Sequence, residues 1–477
     1  MKEIKRKKLE DVLGEEATSM LNNTSCLAIG NIFIRNHPLL KTLWCIAFIL
    51  CTILTIRQLY NLSSSYFSYP LNTVIRLQSE PIDFPSITFC NLNPLRYSQL
   101  NLSKPSLQEF FKQLENRQFV KDNDNEMVSR LYDENLFKKL LLNETSKTRF
   151  EMGYQLKDFI LQCSFLGEKC QIEKLFFPML SNKYGNCFTF NPYNHYNRSY
   201  IINKRSRSEG LFITFYLQND EYLKGFIPST GIRLHFQEPG ALEMPEIYGM
   251  NLPPGFETSI GIIPTKIRRK VDIKGNCKEG HGFRKTYNSV YTKQACLYVC
   301  LQNVIFSKCQ CYDAVFQLYL KNINHLICDT DSKIQCLLQV TSDFNDYLNV
   351  CNCNFACNTT TYTIKQSFAE WPASSYEKRF FNDIKDIYPN FNITSNENSH
   401  ARQNLSNVFI YVEDRSYQEI YQIRAYKWDN FLSDIGGTLS LYLGFSVLTG
   451  FEFLEAISLI TTYLCSKMIT GKSGNEK

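Results

Sequence analysis

The sequence predicts an α+β membrane protein in which two transmembrane helices flank a large, disulfide-rich extracellular domain. Two long apolar segments lie near opposite ends of the 477-residue chain, although its mean hydropathy is only -0.26. Of the 18 cysteines, 14 lie between these segments, an even number that is typical of disulfides in an oxidising compartment. Helical and strand-like patterns both occur in that region, which indicates a compact mixed domain.

The two apolar segments divide the chain into five parts. Residues 42–60 form the first predicted transmembrane helix, since about 20 apolar residues span a bilayer core of roughly 30 Å. Residues 431–464 form the second helix and the pore. A cytoplasmic segment, 1–41, precedes the first helix, and a short tail, 465–477, follows the second. The extracellular cysteine-rich domain is therefore predicted over 61–430.

Basic residues flank both apolar segments on the sides away from the extracellular region. Because positive charge stays cytoplasmic, both termini are predicted to be cytoplasmic in a multi-pass plasma-membrane protein that contacts lipid. About forty residues precede the first segment and no small-residue cleavage site follows it, which excludes a signal peptide. This topology explains the net charge of +6, so no nucleic acid partner is expected. The flanking basic residues are Lys2, Lys5, Arg6, Lys7, Lys8, Arg35, Lys41, Lys467, Lys472 and Lys477.

The extracellular region alternates between extended and helical patterns. Turn residues separate the β-rich runs, and the helical runs are amphipathic. In chain order, we expect an extended region over 61–90 with strands at Val74–Leu77 and Ile87–Phe89, a charged helical projection from Ser106 to Leu142, strands at Leu211–Leu217 and Gly231–Phe236, a helix from Phe283 to Phe306, and a last strand at Asn407–Val412.

Sequons in the same region agree with an extracellular location. Each is Asn-x-Ser/Thr, the acceptor for N-glycosylation. Asn22 and Asn23 also begin sequons, but the predicted topology keeps both in the cytosol. The predicted glycosylation sites are Asn61, Asn101, Asn143, Asn197, Asn358, Asn392 and Asn404.

The spacing of the later cysteines predicts a nested arrangement. Cys296 and Cys300 are four apart and share one face of a helix, whereas Cys351 and Cys353 are two apart and share one face of an extended segment. A helix lying along that segment could be linked to it twice, with Cys277 and Cys357 closing the outside. The alternative is a zinc site, for which the candidate ligands are Cys351, Cys353 and Cys357 or Cys309 and Cys311.

The second apolar segment has features of a pore wall. Glu452 and Glu455 lie within it, and an acidic group near the bilayer centre costs roughly 3 kcal/mol and usually faces water or a partner. Gly436, Ser440 and Gly444 lie four apart, near one helix face suited to close helix–helix contact. The alternative is a plain membrane anchor. No nucleophile elbow, zinc-protease motif or phosphate loop occurs, so no enzyme is predicted.

Several motifs together resemble the degenerin/epithelial sodium channel superfamily, in its acid-sensing or peptide-gated branch. They follow the family order over nearly the whole chain. The matching segments are Phe84–Leu100, Tyr184–Asn191, Pro254–Ile260, Gln294–Leu297 and Leu432–Ser446, the last containing a Gly-x-Ser triplet.

The resemblance implies a trimeric, sodium-preferring, amiloride-sensitive cation channel, homomeric or heteromeric with related subunits. Na⁺ is the permeant ion, Ca²⁺ is a candidate modulator, and no resident cofactor or metal is implied. The stimulus would be an extracellular neuropeptide or protons. The implied disulfides are Cys90–Cys187, Cys163–Cys170, Cys277–Cys357, Cys296–Cys353, Cys300–Cys351, Cys309–Cys336 and Cys311–Cys328.

The resemblance also assigns roles along the pore segment. Gly444, Phe445 and Ser446 would form the constriction through backbone carbonyls and the serine hydroxyl, because selectivity needs oxygens that replace ion hydration. Glu452 and Glu455 would attract cations below it. Asn430 falls on the gating-sensitive position of the family, where bulky substitutions hold channels open, and Asp434 lies beside it. A helix-capping role for Asn430 or Asp434 is the alternative.

This chain departs from the family pattern at three gating positions. Leu27 and Ala28 stand where relatives have a His-Gly pair that supports gating and the lower pore. Tyr69 matches a gating tyrosine, but the segment 273–277 offers no tryptophan partner. Asp343 and Asp346 are candidates for a proton sensor, but they supply carboxylates from only one side of such a cluster. The alternative is that both lie in a solvated loop. The alternatives are therefore a modulatory subunit that conducts only in heterotrimers, or a mechanically gated or constitutive channel.

Overall fold

The structure is a computed structural model of the chain. It describes residues 37–79, 81–116, 133–134, 136–141, 143–191, 200–202, 209–270, 277–313, 328, 330–344, 351–387, 402–414, 416–452, 454–455, 457–458 and 461–462.

The chain forms two compact units, each of which has its own internal contacts. The first, called here the helical unit, comprises residues up to Thr73 and from Gln422 onward; the second, called here the ectodomain, is Val74–Tyr421. The helices are α1 Pro38–Phe67, α2 Pro105–Asn116, α3 Ser146–Met152, α4 Leu156–Phe159, α5 Ile172–Leu175, α6 His281–Tyr287, α7 Lys293–Cys309, α8 Asp331–Ser342, α9 Ser374–Ile387 and α10 Trp428–Leu443.

Strands dominate the rest of the described chain, with short 3₁₀ turns at Tyr97–Leu102 and Asn219–Glu221. The strands are β1 Leu71–Gln78, β2 Ile82–Asp83, β3 Ser86–Asn91, β4 Ile160–Phe165, β5 Glu168–Lys169, β6 Phe176–Ser181, β7 Gly185–Phe190, β8 Ile201–Ile202, β9 Leu211–Tyr216, β10 Ile232–Gln237, β11 Met250–Leu252, β12 Phe256–Arg268, β13 Cys277–Lys278, β14 Phe355–Ala356, β15 Asn358–Glu370, β16 Leu405–Val412 and β17 Tyr417–Arg424.

In the helical unit, α1 has 30 residues and a mean hydropathy of 2.2 over its most apolar window, with little of it buried. Among the described residues it is the one helix long and apolar enough to cross a membrane. Pro38 begins it, at a position where the missing N–H costs nothing. The expectation that the chain becomes extended at residue 61 is wrong for 61–67. These residues stay helical because no glycine or proline occurs before Pro70.

The ectodomain is built on two sheets. The larger has eight strands in the order β1-β17-β12-β16-β9-β4-β5, with β15 also paired to β12; the smaller has the order β11-β10-β3-β7-β6. β12 and β15 pair antiparallel over 13 residues, from Phe256↔Glu370 to Arg268↔Asn358. β12 also pairs in parallel with β16 and β17. Consequently β12 is the central strand that joins distant parts of the chain.

Phenylalanines from both sheets form the main core. The Phe215 ring lies 5.2 Å from Phe89 and 4.9 Å from Phe159, and all three side chains are fully buried. Tilted ring pairs at such distances add to the free energy gained by burying apolar area. A second cluster joins α2 to Phe137 and Leu141. The amphipathic pattern from Ser106 therefore predicted a helix that packs by one face.

Two sequence expectations differ from the structure in the second half of the ectodomain. The helix expected over 283–306 is two helices, α6 and α7, because Asn288 adopts a left-handed conformation with φ 52° and ends α6. Asn407–Val412 lies in β16 but is not the last strand, since β17 follows. The strand β17 was missed because only Tyr417 and Glu419 among its residues are buried, which leaves little period-two hydrophobicity.

Seven disulfides link the ectodomain, and they are the same seven pairs that the family resemblance implies. Cys296 and Cys300 on α7 bond to Cys353 and Cys351, with Cα–Cα distances of 5.8 and 5.6 Å. The helix is thus linked twice to one extended segment. Because all five cysteines considered as zinc ligands are in disulfides, the zinc alternative is wrong.

Candidate pore segment

The second apolar segment contains a helix that stops at a glycine. Gly444 follows α10 with φ 66° and ψ 21°, a left-handed conformation that glycine adopts without steric cost. Its amide donates to Ser440 O at 3.0 Å, and the Phe445 amide donates to Leu439 O at 3.2 Å. The structure therefore interrupts the predicted 34-residue helix at the triplet Gly444, Phe445 and Ser446.

Ser446 begins a new helical turn by a reciprocal cap. The Ser446 hydroxyl accepts from the Thr449 amide at 3.2 Å, and the Thr449 hydroxyl accepts from the Ser446 amide at 3.1 Å. Residues 447–452 are helical, and the Gly450 amide donates to Ser446 O. The pattern has the form of a capping box, with threonine in place of the usual glutamate. Thr449 was missed by the sequence reasoning, although its Ser-x-x-Thr spacing was visible.

The two acidic residues lie beyond this cap. Glu452 is half-buried within the helical stretch 447–452, and Glu455 is exposed. Residues three apart share one side of a continuous helix, which is the arrangement that the sequence predicts for the two carboxylates. Along the chain, the cap is thus followed by Glu452 at the end of the helical stretch 447–452 and then by Glu455 in the described pair 454–455.

Glycines on α10 and just beyond it have open space around them within one copy of the chain. A Cβ built on Gly436, Gly437, Gly444 or Gly450 would meet no heavy atom within 4 Å. Of the four, Gly444 alone has a positive φ. Contacts within the described part of the chain therefore do not explain why the other three positions are glycine.

An aromatic cluster surrounds the start of α10. The Tyr66 ring stacks on Phe431 with centroids 4.5 Å apart and lies 6.4 Å from Trp428. The Tyr426 hydroxyl donates to Asp434 Oδ2. Partial burial and this hydrogen bond raise the pKa of Tyr426 to about 12, so the phenol stays protonated at neutral pH. Asp434 is therefore held by a tyrosine that the sequence reasoning did not single out.

The capping alternative for the polar residues of this region is wrong. α10 begins after Lys427 without a side-chain cap, and Asn430 lies exposed inside the first turn. Tyr69 has φ 52°, and the Arg424 guanidinium lies 4.8 Å above its ring. Leu27 and Ala28 lie outside the described residues.

The other predicted positions are distributed over the ectodomain and α1. Asp343 is exposed and accepts from the Ser342 hydroxyl at 2.9 Å, while Asp346 lies outside the described residues. The sequons at Asn61, Asn101, Asn143 and Asn358 are exposed, and those at Asn197 and Asn392 lie outside the described residues.

Asn404 does not fit its predicted role as a glycosylation site. Its side chain is only 2 % exposed, and its Oδ1 accepts from the Asn219 amide at 2.6 Å. A glycan needs a solvent-exposed amide, so burial corrects this expectation.

This chain is similar to proteins of one family over most of its length. A family model described as "Amiloride-sensitive sodium channel" matches residues 20–456. Degenerin unc-8 of Caenorhabditis elegans is 29% identical over 76% of this chain, which spans 46% of that relative's length. The FMRFamide-activated amiloride-sensitive sodium channel of Cornu aspersum is 25% identical over 88% of this chain and 79% of its own length. Acid-sensing ion channel 1 of Gallus gallus is 26% identical over 92% of this chain and 83% of its own length.

Among solved structures, a proton-activated chloride channel aligns with 88% of this chain and 98% of its own. Its sequence identity is 7% and its TM-score is 0.32. A TM-score this low does not establish a shared fold.

Proposed function

This chain belongs to the amiloride-sensitive sodium channel family, and we propose that it is a pore-forming subunit of a stimulus-gated, sodium-preferring cation channel. The observation that carries the proposal is the interruption of the second apolar segment at Gly444, followed by the cap at Ser446. Backbone carbonyl oxygens at a helix break, together with a serine hydroxyl, are suited to replace water around a cation.

The acidic residues complete the proposed conduction path. Glu452 is half-buried and Glu455 is exposed, and their spacing of three would place them on one side of a continuous helix. With three subunits they would form two acidic rings that raise the local cation concentration. The open space around Gly436 and Gly437 supports a neighbouring subunit at that face, since small residues permit close helix contact in membranes.

The proposed topology has two transmembrane segments. α1 is one, and the interrupted segment 431–464 is the other. As a continuous helix 34 residues would measure roughly 50 Å, which exceeds a bilayer core of about 30 Å. A break shortens the segment relative to a continuous helix, so that it fits the thickness of the bilayer better. We therefore place both termini in the cytoplasm and 61–430 outside the plasma membrane, in a trimer that is amiloride-sensitive and gated by a peptide or protons.

A modulatory subunit is the second candidate. The sequence favours it because Leu27 and Ala28 replace the His-Gly pair that its relatives carry. In that case the pore would conduct only in heterotrimers with related subunits.

Asn430 offers a test that does not need the unknown stimulus. Asn430→Phe places a bulky side chain at the gating-sensitive position and should hold a competent pore open. The variant is expressed alone and with related subunits, and sodium current is recorded under voltage clamp with and without amiloride. Leu432→Phe, two residues along the same helix and also exposed, is the matched control.

The outcomes separate the two candidates. Amiloride-blocked current from Asn430→Phe alone supports a pore-forming homomer. Current that needs a related subunit supports the modulatory role. Surface-expressed Asn430→Phe that carries no current in either setting contradicts channel function.

A further inference from the structure

The tip of one β-hairpin in the ectodomain carries an exposed leucine in an unfavourable backbone conformation. β4 and β5 pair antiparallel with Phe165 opposite Glu168, so Leu166 and Gly167 form a two-residue turn. Both have positive φ, 56° and 80°, and hairpin turns of this kind prefer Asn-Gly. A leucine is sterically crowded at such a φ, unlike glycine, and this one is 40 % exposed. Local structure therefore does not explain why position 166 is leucine.

This hairpin has a rigid support at one edge of the larger sheet. A disulfide joins Cys163 to Cys170, and the Cys170 amide donates to Cys163 O at 3.0 Å. β5 ends the strand order and pairs only with β4 among the described strands. Glu168, directly after the turn, is exposed, and the described residues offer it no ion pair. The hairpin thus presents an apolar tip and a carboxylate, and a rigid support loses little entropy on binding.

A cavity elsewhere in the ectodomain has the complementary character. It lies between β10, β11, the start of β15 and the first residues of α7, and its volume is about 470 Å³. Tyr248 and Phe355 line it and are 42 and 50 % exposed, so the cavity opens to solvent. Binding pockets typically measure about 300–1,000 Å³, so there is room for a leucine side chain. The apolar wall includes Leu234, Phe236, Met244, Met250 and Ile267.

Two cations beside Phe355 have no carboxylate partner among the residues that the structure describes. The Arg269 guanidinium and the Lys293 ammonium lie 4.7 and 4.3 Å from the Phe355 ring centroid. Lys293 is the first residue of α7, where the helix dipole adds positive potential. Glu238 is the one carboxylate among the lining residues, and it accepts from the Thr360 amide at 3.2 Å and hydroxyl at 3.4 Å. This side of the cavity therefore favours an acidic group.

The sheet order keeps the hairpin away from the cavity of its own copy. β5 is four strands from β12, whose Ile267 lines the cavity. Neighbouring strands lie about 4.8 Å apart, so the separation is roughly 19 Å. A projection that fits a different part of an identical chain makes a heterologous contact, and such contacts can close into rings. The hairpin and the cavity thus suit a contact between copies.

We propose that the β4–β5 hairpin of one subunit inserts Leu166 into this cavity of a neighbouring subunit, with Glu168 against Arg269 and Lys293 of that neighbour. The occupant is a second copy of the chain because its hairpin supplies both the apolar tip and the acidic group that complement the cavity. Three such contacts would close a ring of three. The proposal rests on the trimer of the proposed function, but it does not rest on conduction.

Cysteine cross-linking between two copies tests the contact. One tagged copy carries Leu166→Cys, and a differently tagged copy carries Tyr248→Cys; the full-length chains are co-expressed, purified in detergent and mildly oxidised. We expect a disulfide-linked dimer that carries both tags, and linked trimers when every copy carries both substitutions. Lys378→Cys, exposed on α9 and outside the cavity, replaces Tyr248→Cys in the control and should link at least tenfold less.

Substitution of the tip separates the contact from folding. Leu166→Asn supplies a residue that this turn prefers, so the amount of folded surface protein should stay equal or rise. The concentration at which trimers dissociate, measured by mass photometry, should nevertheless rise about tenfold or more, because an apolar side chain is no longer buried. Leu166→Met keeps an apolar tip of similar volume and should dissociate like the wild type.

Charge reversal locates the acidic contact. Glu168→Arg and Arg269→Glu should each weaken assembly about tenfold, because like charges then face each other across the contact. The two substitutions together should restore assembly toward the wild-type concentration range. Lys270→Glu, an exposed neighbour of Arg269 outside the cavity, is the control and should not rescue Glu168→Arg.

Two results would overturn the proposal while leaving the trimer intact. One is a wild-type trimer in which Leu166→Cys links to Tyr248→Cys no more than to Lys378→Cys, which would leave the cavity to water or a small amphiphile. The other is the absence of rescue when Glu168→Arg and Arg269→Glu are combined. Wild-type protein that stays monomeric at every concentration would overturn the contact together with the trimer. Assembly is scored by mass and cross-linking, so a failure of conduction would not be mistaken for any of these results.

Discussion

Several glycines of the ectodomain and of the helical unit have opposite surroundings. In the ectodomain, a Cβ on Gly185 would collide with the carbonyl oxygen of Pro94, and one on Gly280 would collide with Tyr291. In the helical unit, Gly436, Gly437 and Gly450 face open space. Gly185 and Gly280 thus lie against filled parts of the ectodomain, whereas one copy of the chain leaves Gly436 and Gly437 of α10, and Gly450 beyond it, uncovered. A single copy accounts for the first two glycines but not for the other three.

The same contrast appears in the apolar side chains. Phe89, Phe159 and Phe215 are fully buried in the ectodomain core, while Leu43 and Leu441 of the helical unit are 62 and 78 % exposed. Burial against other groups of the same chain stabilises the first set. Lipid or other subunits would have to cover the second. The ectodomain should thus respond to substitutions as an ordinary folded domain, and the helical unit as part of an assembly.

The strongest test of this contrast is a pair of glycine substitutions. Gly185→Ala should destabilise the protein by about 3 kcal/mol or more, because a left-handed alanine costs roughly 1–2 kcal/mol and overpacking roughly 1–3 kcal/mol. Gly436→Ala should fold normally. Thermal melting of the purified protein and surface biotinylation measure both effects.

A control for the ectodomain is available in α6. Gly282→Ala adds a methyl group where no atom lies within 4 Å, and alanine is the better helix former, so stability should stay equal or rise. Equal losses of surface protein for Gly185→Ala and Gly436→Ala would break the comparison between the units.

Acid should destabilise the ectodomain through a buried histidine. His235 is 8 % exposed, and its burial, with a smaller effect of Arg233, lowers its pKa from 6.5 to about 4. Folding therefore favours the neutral ring, so its contribution is complete above pH 6.5 and is lost as pH falls toward 4. The loss amounts to about 3 kcal/mol. Thermal melting between pH 7 and pH 4 measures it, and His235→Gln should flatten the profile.

An exposed histidine serves as the comparison for that profile. His281 is exposed, so His281→Gln should melt like the wild type at each pH. If the thermal stability of His235→Gln falls with pH as steeply as that of the wild type, other groups cause the acid sensitivity.

In the helical unit, charge should affect conduction rather than folding. Glu452→Gln should lower single-channel conductance or sodium preference roughly twofold or more, because neutralising a carboxylate ring lowers the local cation concentration. Surface expression should not change. Recordings in the Asn430→Phe background measure the effect. Glu455→Gln, at the more exposed carboxylate, should change conductance or sodium preference less than Glu452→Gln does. A loss of surface protein in Glu452→Gln that exceeds its loss of current would contradict the role of Glu452.

The smallest expected effect concerns the cap at the helix break. Ser446→Ala removes the acceptor for the Thr449 amide and should cost about 1 kcal/mol of local helix stability. The expected result is a modest change in sodium-to-potassium permeability at unchanged surface expression. Thr449→Ser keeps the reciprocal hydroxyl and should preserve the ratio. If Ser446→Ala and the wild type have the same sodium-to-potassium permeability ratio, the cap does not contribute to the constriction.

Much of the architecture was predictable because its causes are local. The spacing of Cys296 with Cys300 and of Cys351 with Cys353 fixed which cysteines share a face. The helix break falls at Gly444, a residue suited to a left-handed turn, within the Gly-x-Ser triplet that the resemblance marks. The helix α1 continues past residue 60 to Phe67, since serines near a helix end do not stop a helix unless competing bonds form. β17 escaped notice because six of its eight residues are at least partly exposed.

What the sequence determined by itself are the two apolar segments, the even cysteine count, the acidic pair and the glycine that interrupts a helix. Hydropathy and backbone conformation act over a few neighbouring residues, so the sequence can express them directly. Only the tertiary structure decided that Asn404 is buried against Asn219, that Tyr426 holds Asp434, and that Gln237 and Glu238 line one cavity with residues of β15. Most of these contacts join residues far apart in sequence, and their energies depend on burial that appears only when the chain has folded.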